Sequence, residues 1–192
     1  LPKLQWKKST DNPSENGVIL WDEVNGYPVV SKNNEFRQII LADGYAAFFR
    51  VADVTFASAD TAQVITYDDP TYADGITRGS PTSRLVFSEA GKYLLAFTAQ
   101  IYSTSAATKT FYFWPRINGV DAGSGSSMVA SLHANSATSV VSRSTIFSLS
   151  ANDYLEVACA CSSTDATLEG FAATAFSPAT PSTTLSITRI SG

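Results

Sequence analysis

Apolar and polar residues alternate with a period of two along most of this chain, and the stretches that do so are short. In Tyr93-Leu94-Leu95-Ala96-Phe97-Thr98-Ala99-Gln100-Ile101, one parity gathers Tyr93, Leu95, Phe97, Ala99 and Ile101, and the other Leu94, Ala96, Thr98 and Gln100. This is the pattern of a strand with one core face. Between Gln63 and Ile190 about nine such segments recur, rich in Val, Ile, Tyr, Phe and Thr and separated by Gly, Pro, Asn, Asp and Ser. They predict an all-β fold, because no long stretch carries apolar residues at helical spacing with caps at both ends. The Ala-rich segment Gly44–Ala52 is the one place where a short helix could sit.

Ahead of these strands, Val18–Trp21, Tyr27–Val30 and Glu35–Leu41 are short apolar or β-branched runs divided by Asn25-Gly26 and Asn33-Asn34. Asn and Gly tolerate the left-handed backbone of tight hairpins, so these runs predict a small meander. About fifty residues bury too little surface to be stable alone. The meander is therefore expected to dock Trp21, Val29, Phe36 and Ile40 on copies of itself or on another protein. Residues 1–50 hold 12 charged positions and residues 101–192 only 9, which places a boundary near Ala57–Thr61. The expected organisation is an attachment or stem segment over 1–57 and a sandwich over 58–192.

Phe111-Tyr112-Phe113-Trp114 breaks the one-sided pattern, with Phe111 and Phe113 on one face and Tyr112 and Trp114 on the other. One pair suits the core. The other, with its polar handles, suits an interface between subunits, for which Tyr102, Tyr112, Trp114 and Tyr154 are the candidates. A loop or the meander covering that second face is the competing reading.

Four segments resemble the trimeric jelly-roll head shared by tumour necrosis factor and complement globular domains, a module also carried by phage fibre and virion-appendage proteins. Phe87–Leu94 is similar to its apolar residue, turn and Gly-x-Tyr entry into a long strand. Ile117-Asn118-Gly119-Val120 looks like the hairpin after its aromatic-rich strand. Phe147–Val157 resembles its Leu-x-x-Gly-Asp-x-Val-x-Leu segment, with Asn152 in the place of Gly, and Leu185–Ile190 looks like its terminal strand. The resemblance covers about residues 63–192 and implies a jelly-roll sandwich and a homotrimer. More loosely, Leu20–Val29 with Phe36-Arg37-Gln38 looks like connecting modules that precede phage fibre heads. This implies a virion setting, with other virion proteins as partners.

Composition narrows the partners. Charged residues are 16% of the chain, while 25 Ser and 20 Thr make the surface hydroxyl-rich. A net charge of -4 without a basic stripe argues against nucleic acid. No apolar run approaches the roughly 18 to 20 residues needed to span a bilayer as a helix.

Candidate chemistry is sparse. Cys159 and Cys161 share one strand face, where a mutual disulfide would be strained, and read as small core residues. His133 has no Ser, Cys or carboxylate at a motif spacing, and Gly-x-Ser-x-Gly is absent. Asp153, Glu156, Asp165 and Glu169 could supply a hydrolase carboxylate pair only if folding brought two of them to one cleft. Gly123–Ser127 has linker composition without the Lys of a phosphate loop. Asp68, Asp69 and Asp74, with Tyr72, form an acidic loop that reads as solvated, and alternatively as a site for Ca²⁺ or host-surface glycan in a lectin or adhesin. The expectation is a protein with no catalytic site and no cofactor.

Overall fold

The computed structural model describes residues 19–22, 27–32, 35–38, 44–70, 72–133 and 137–191. It divides the chain into two compact units, 1–41 and 42–192. The first contains an antiparallel meander of β1 (Ile19–Asp22), β2 (Tyr27–Lys32) and β3 (Glu35–Gln38), in which Trp21 pairs with Pro28 and Ser31 with Phe36.

The second unit is a sandwich of two antiparallel sheets. Its strands are β4 (Tyr45–Arg50), β5 (Val54–Thr55), β6 (Gln63–Val64), β7 (Tyr72–Asp74), β8 (Ile76–Arg78), β9 (Leu85–Phe87) and β10 (Gly91–Ser103). They continue as β11 (Lys109–Ile117), β12 (Val120–Asp121), β13 (Met128–Leu132), β14 (Ala137–Leu149), β15 (Tyr154–Cys161), β16 (Ala166–Leu168) and β17 (Thr183–Ser191). In the first sheet β14 lies beside β10, and β10 is followed by β17, β4 and β7; β16 and β5 extend the β10 side. The second sheet runs β12, β11, β15, β9, β8, with β13 also on β11 and β6 also on β15. Apart from the hairpins β8–β9 and β11–β12, neighbouring strands are distant in sequence, the arrangement of a jelly roll.

The core forms where the two inner faces meet. Tyr93, Leu95, Phe97, Ala99 and Ile101 of β10 are all buried, as their parity predicts. They face Phe111 and Phe113 of β11 and Leu155, Val157, Cys159 and Cys161 of β15, also buried. Phe97 and Phe113 meet with ring centroids 5.4 Å apart, and Phe56 meets Phe111 edge-on at 6.0 Å. The turns use the residues that the sequence supplies for them. Asn118 and Gly119 take φ of 51° and 80° between the paired Ile117 and Val120, and Asn152 takes φ 68° where a Gly is usual.

Two expectations are corrected. Residues 45–50 form strand β4 and not a helix, because Ala46 and Phe48 point into the core while β17 and β7 hydrogen-bond its two edges. The boundary also falls at 41/42 and not at 57/58. Residues 42–57 belong to the sandwich: β5 pairs with β16, and Phe48, Val54 and Phe56 lie in the core cluster. A fragment 42–192 is accordingly expected to melt cooperatively, whereas 58–192 loses β4, β5 and the core side chains Ala46, Phe48, Val54 and Phe56 and is expected to be molten. Thermal circular dichroism of the two fragments checks this, and equal melting temperatures would contradict it.

Gly170 marks the closest backbone approach of the sandwich. A Cβ there would stand 1.9 Å from the Val51 carbonyl oxygen, so the connection after β16 can pass the one after β4 only without a side chain.

Candidate functional site

The two outer faces of the sandwich differ in chemistry. On the first sheet, cross-strand pairing assembles rows of outward side chains. Tyr45, Thr188, Leu94 and Ile146 form one row, Ala47, Ser186, Ala96 and Ser144 the next, and Phe49, Thr184, Thr98 and Ser142 a third. Gln100 beside Val140 and Tyr102 beside Thr138 continue the face. None of these side chains is charged; the charges of the face stand at its margins, Asp74 on β7 beside Tyr45 and Lys92 opposite Ser148 at the start of β10. Several are apolar and open to solvent: Tyr45 is 44%, Leu94 38%, Val140 62% and Ile146 56% exposed. Five rows about 7 Å apart on four strands about 4.8 Å apart span roughly 500 to 600 Å² in projection.

The outer face of the second sheet is polar and charged. Arg116 pairs with Glu156 across β11 and β15, and Arg84 lies 3.8 Å from the same carboxylate while its guanidinium stacks 4.4 Å from the Tyr154 ring centroid. Glu156 is buried and accepts a hydrogen bond from Ser83 Oγ at 2.7 Å. Tyr112 and Trp114 stand on this face with Ala160 and Ala158 as cross-strand neighbours. Trp114 Nε1 donates to Asp121 Oδ1 at 2.8 Å, and Arg116 Nε lies 3.2 Å from the same oxygen.

The four aromatics proposed from sequence for a subunit interface are therefore split. Tyr102 is on the outer face of the first sheet; Tyr112, Trp114 and Tyr154 are on the second sheet. Sequence reasoning missed Tyr45, Leu94, Val140 and Ile146, because their alignment into one face exists only once β4, β10, β14 and β17 are registered. In the meander, Trp21 and Phe36 lie on β1 and β3, Val29 is buried on β2, and Ile40 lies outside the described residues.

The remaining polar candidates have local partners. Asp68 Oδ2 accepts from the Val51 amide at 2.9 Å, and Asp69 pairs with Arg78 at 2.5 Å, while Asp74 and Tyr72 are exposed on β7. Among the described residues no three His, Cys, Asp or Glu side chains are grouped as a metal site. His133 Nδ1 lies 2.8 Å from Thr108 Oγ1. Asp153 is hydrogen-bonded by the Ser150 amide and Asn118, Asp165 lies 3.7 Å from Lys109 Nζ, and Glu169 accepts from Thr138.

Cys159 and Cys161 are free and buried in the core. Burial pushes the Cys159 thiol up to about 12, against a smaller opposing hydrogen bond from Gln63. The thiolate is the reactive form, so Cys159 is expected to resist iodoacetamide in the native protein at pH 8 and to react within minutes in denaturant. Mass spectrometry of the labelled chain checks this, and rapid native alkylation would contradict it.

Comparison with known proteins yields a likeness of fold. No protein-family model matches the sequence, and no curated protein matches it. Among solved structures, the globular domain of zebrafish complement 1qA protein aligns over 77% of this chain and 97% of its own at 14% identity, with a TM-score of 0.45. Murine APRIL aligns over 77% of this chain and 98% of its own at 12% identity, with a TM-score of 0.48.

Proposed function

We propose that this chain is a non-enzymatic structural protein: a homotrimeric virion appendage or fibre of bacteriophage type, whose jelly-roll head serves particle assembly or attachment to a host surface. The observation that carries the assembly is the apolar and hydroxyl-rich centre of the outer face of the first sheet. Water-exposed Leu94, Val140 and Ile146 gain by being covered, while the charged Lys92 and Asp74 stand at the margins of that face, at the start of β10 and on the edge strand β7, where they can stay in water. With its rim, a face of 500 to 600 Å² approaches the roughly 800 Å² per partner of a stable interface. The number three comes from the sequence resemblance to trimeric heads, and the virion setting from the likeness of Leu20–Val29 and Phe36–Gln38 to fibre connecting modules.

In this reading the meander docks on other virion proteins, and the surface of the particle is where the head is found. Immunogold electron microscopy of particles from the source, with antibody raised against residues 44–191, tests the setting. Label on fibres or appendages is the expected result; particles free of label, with the antigen remaining soluble, would overturn it.

A further inference from the structure

We infer that the outer face of the second sheet holds a binding site for a neutral saccharide, seated against Tyr112 and Trp114. The inference deepens the attachment part of the proposed function and rests on it for its biological sense, but the site lies wholly within one protomer.

The site begins with the strand pattern. Tyr112 and Trp114 are two residues apart on β11, so their rings emerge on one face about 7 Å apart. Their neighbours on β15 are Ala160 and Ala158, which are buried and too small to fill the space beside the rings. A depression of about 530 Å³ lies on one side, bordered by Tyr112, Trp114, Asp121 and Asp60, and another of about 380 Å³ lies on the other side of Trp114. Trp114 and Asp121 border both. The larger volume is within the range of pockets that take small ligands.

The polar groups set the ligand class. Asp121 holds the indole through Trp114 Nε1 and pairs with Arg116, both through Oδ1. Its Oδ2 has no protein partner among the described residues, and neither does the Asp60 carboxylate. Asp60 is itself fixed, since its amide donates to Cys161 O at 2.8 Å and its backbone is left-handed with φ 55°. The larger depression thus offers carboxylate oxygens of Asp60 and Asp121 as acceptors beside aromatic faces, and the smaller one adds the edge of the Arg116 guanidinium, whose Nη2 already donates to Gly119 O. Arg116 offsets Asp121, which weakens the attraction for a cation, and Asp60 repels an anion. A neutral ring with hydroxyls at its edge and C–H groups on its face meets each of these groups with a complementary one.

The test uses the full chain and an immobilised panel of β-linked glucose, galactose, mannose and N-acetylglucosamine mono- and disaccharides. A sugar that is retained is then titrated in solution by tryptophan emission, with the mass of the assembly measured on the same samples. Trp114→Ala and Tyr112→Ala are each expected to weaken binding at least about tenfold with the assembly mass unchanged. Phe176→Ser, which removes an exposed aromatic elsewhere, is expected to bind as the parent does. Circular dichroism confirms that each variant is folded. Failure of every neutral sugar on the panel, binding that survives both alanine variants, or selective retention of a trimethyl-lysine peptide instead would overturn the inference. Sugar binding by a monomeric chain would support the site while overturning the trimeric reading.

Discussion

Replacing Ile146 by aspartate is expected to convert the proposed trimer into folded monomers. Ile146 is 56% exposed on the edge strand β14, so in the isolated protomer the new carboxylate stays in water and the cost to folding is within about 0.5 kcal/mol. In the assembly the same carboxylate enters a contact with no cation in its own row, which holds Leu94, Thr188, Tyr45 and, on β7, Asp74; Lys92 lies one row away at the start of β10. Burying an unpaired charge costs several kcal/mol, and a trimer buries three. Dissociation at micromolar concentration with an unchanged melting curve of the monomer is the expected outcome, read by sedimentation velocity and circular dichroism. Ile146→Asp is a cleaner probe than a double change with Leu94, because Leu94 and Ile146 are directly opposed and two carboxylates there would also strain the sheet itself. Val120→Asp, on an exposed hairpin of the second sheet, serves as the control and is expected to leave the assembly intact.

Truncation of Phe113 to alanine is expected to act in the opposite way, on the protomer and not on the contact between protomers. Its ring is buried between the sheets, 5.4 Å from that of Phe97, beside a narrow half-open depression that Arg143 and Met128 also line. Removing it deletes one of the few aromatic contacts that join β10 to β11 across the core. Such changes cost about 3 to 5 kcal/mol, a large share of the roughly 5 to 15 kcal/mol that holds a domain of this size together. Chemical denaturation should show a midpoint shift of that size, and a loss below about 1 kcal/mol would mean that the sheets close around the gap.

Legibility in the sequence followed what each pattern depends on. The inward parity of Tyr93 to Ile101 and of Phe111 and Phe113 was readable because burial of one strand face is a local alternation that no partner strand can reverse without exposing it. The Asn118-Gly119 hairpin was readable because few residues adopt its backbone. Strand β4 was not, since alanines suit a helix as well as a strand, and it is the edges of β17 and β7 that decide. The boundary at 57/58 followed a fall in charge, but charge density reports solvent, and β4 and β5 carry buried faces on a segment that sequence alone assigned to the stem. The candidate surfaces failed for a further reason. Leu94, Ile146 and Tyr45 belong to three strands separated by other strands in the chain, and Asp60, from the turn before β6, meets Asp121, on β12, only at one depression. Which outward residues become neighbours is a property of strand order, and no single segment states it. Of the four aromatics singled out, the period-two pattern placed Tyr112 and Trp114 outward correctly, but it could not say that Tyr102 faces out from the other sheet.

The outer face of the first sheet, with its apolar and hydroxyl-rich centre, as a threefold contact is the claim on which the remainder depends. Multi-angle light scattering of the full chain at about 10 μM measures it most directly. A molar mass three times the 20.5 kDa of one chain is the predicted result, and a mass of 20.5 kDa, with Leu94, Val140 and Ile146 left open to water, would contradict it.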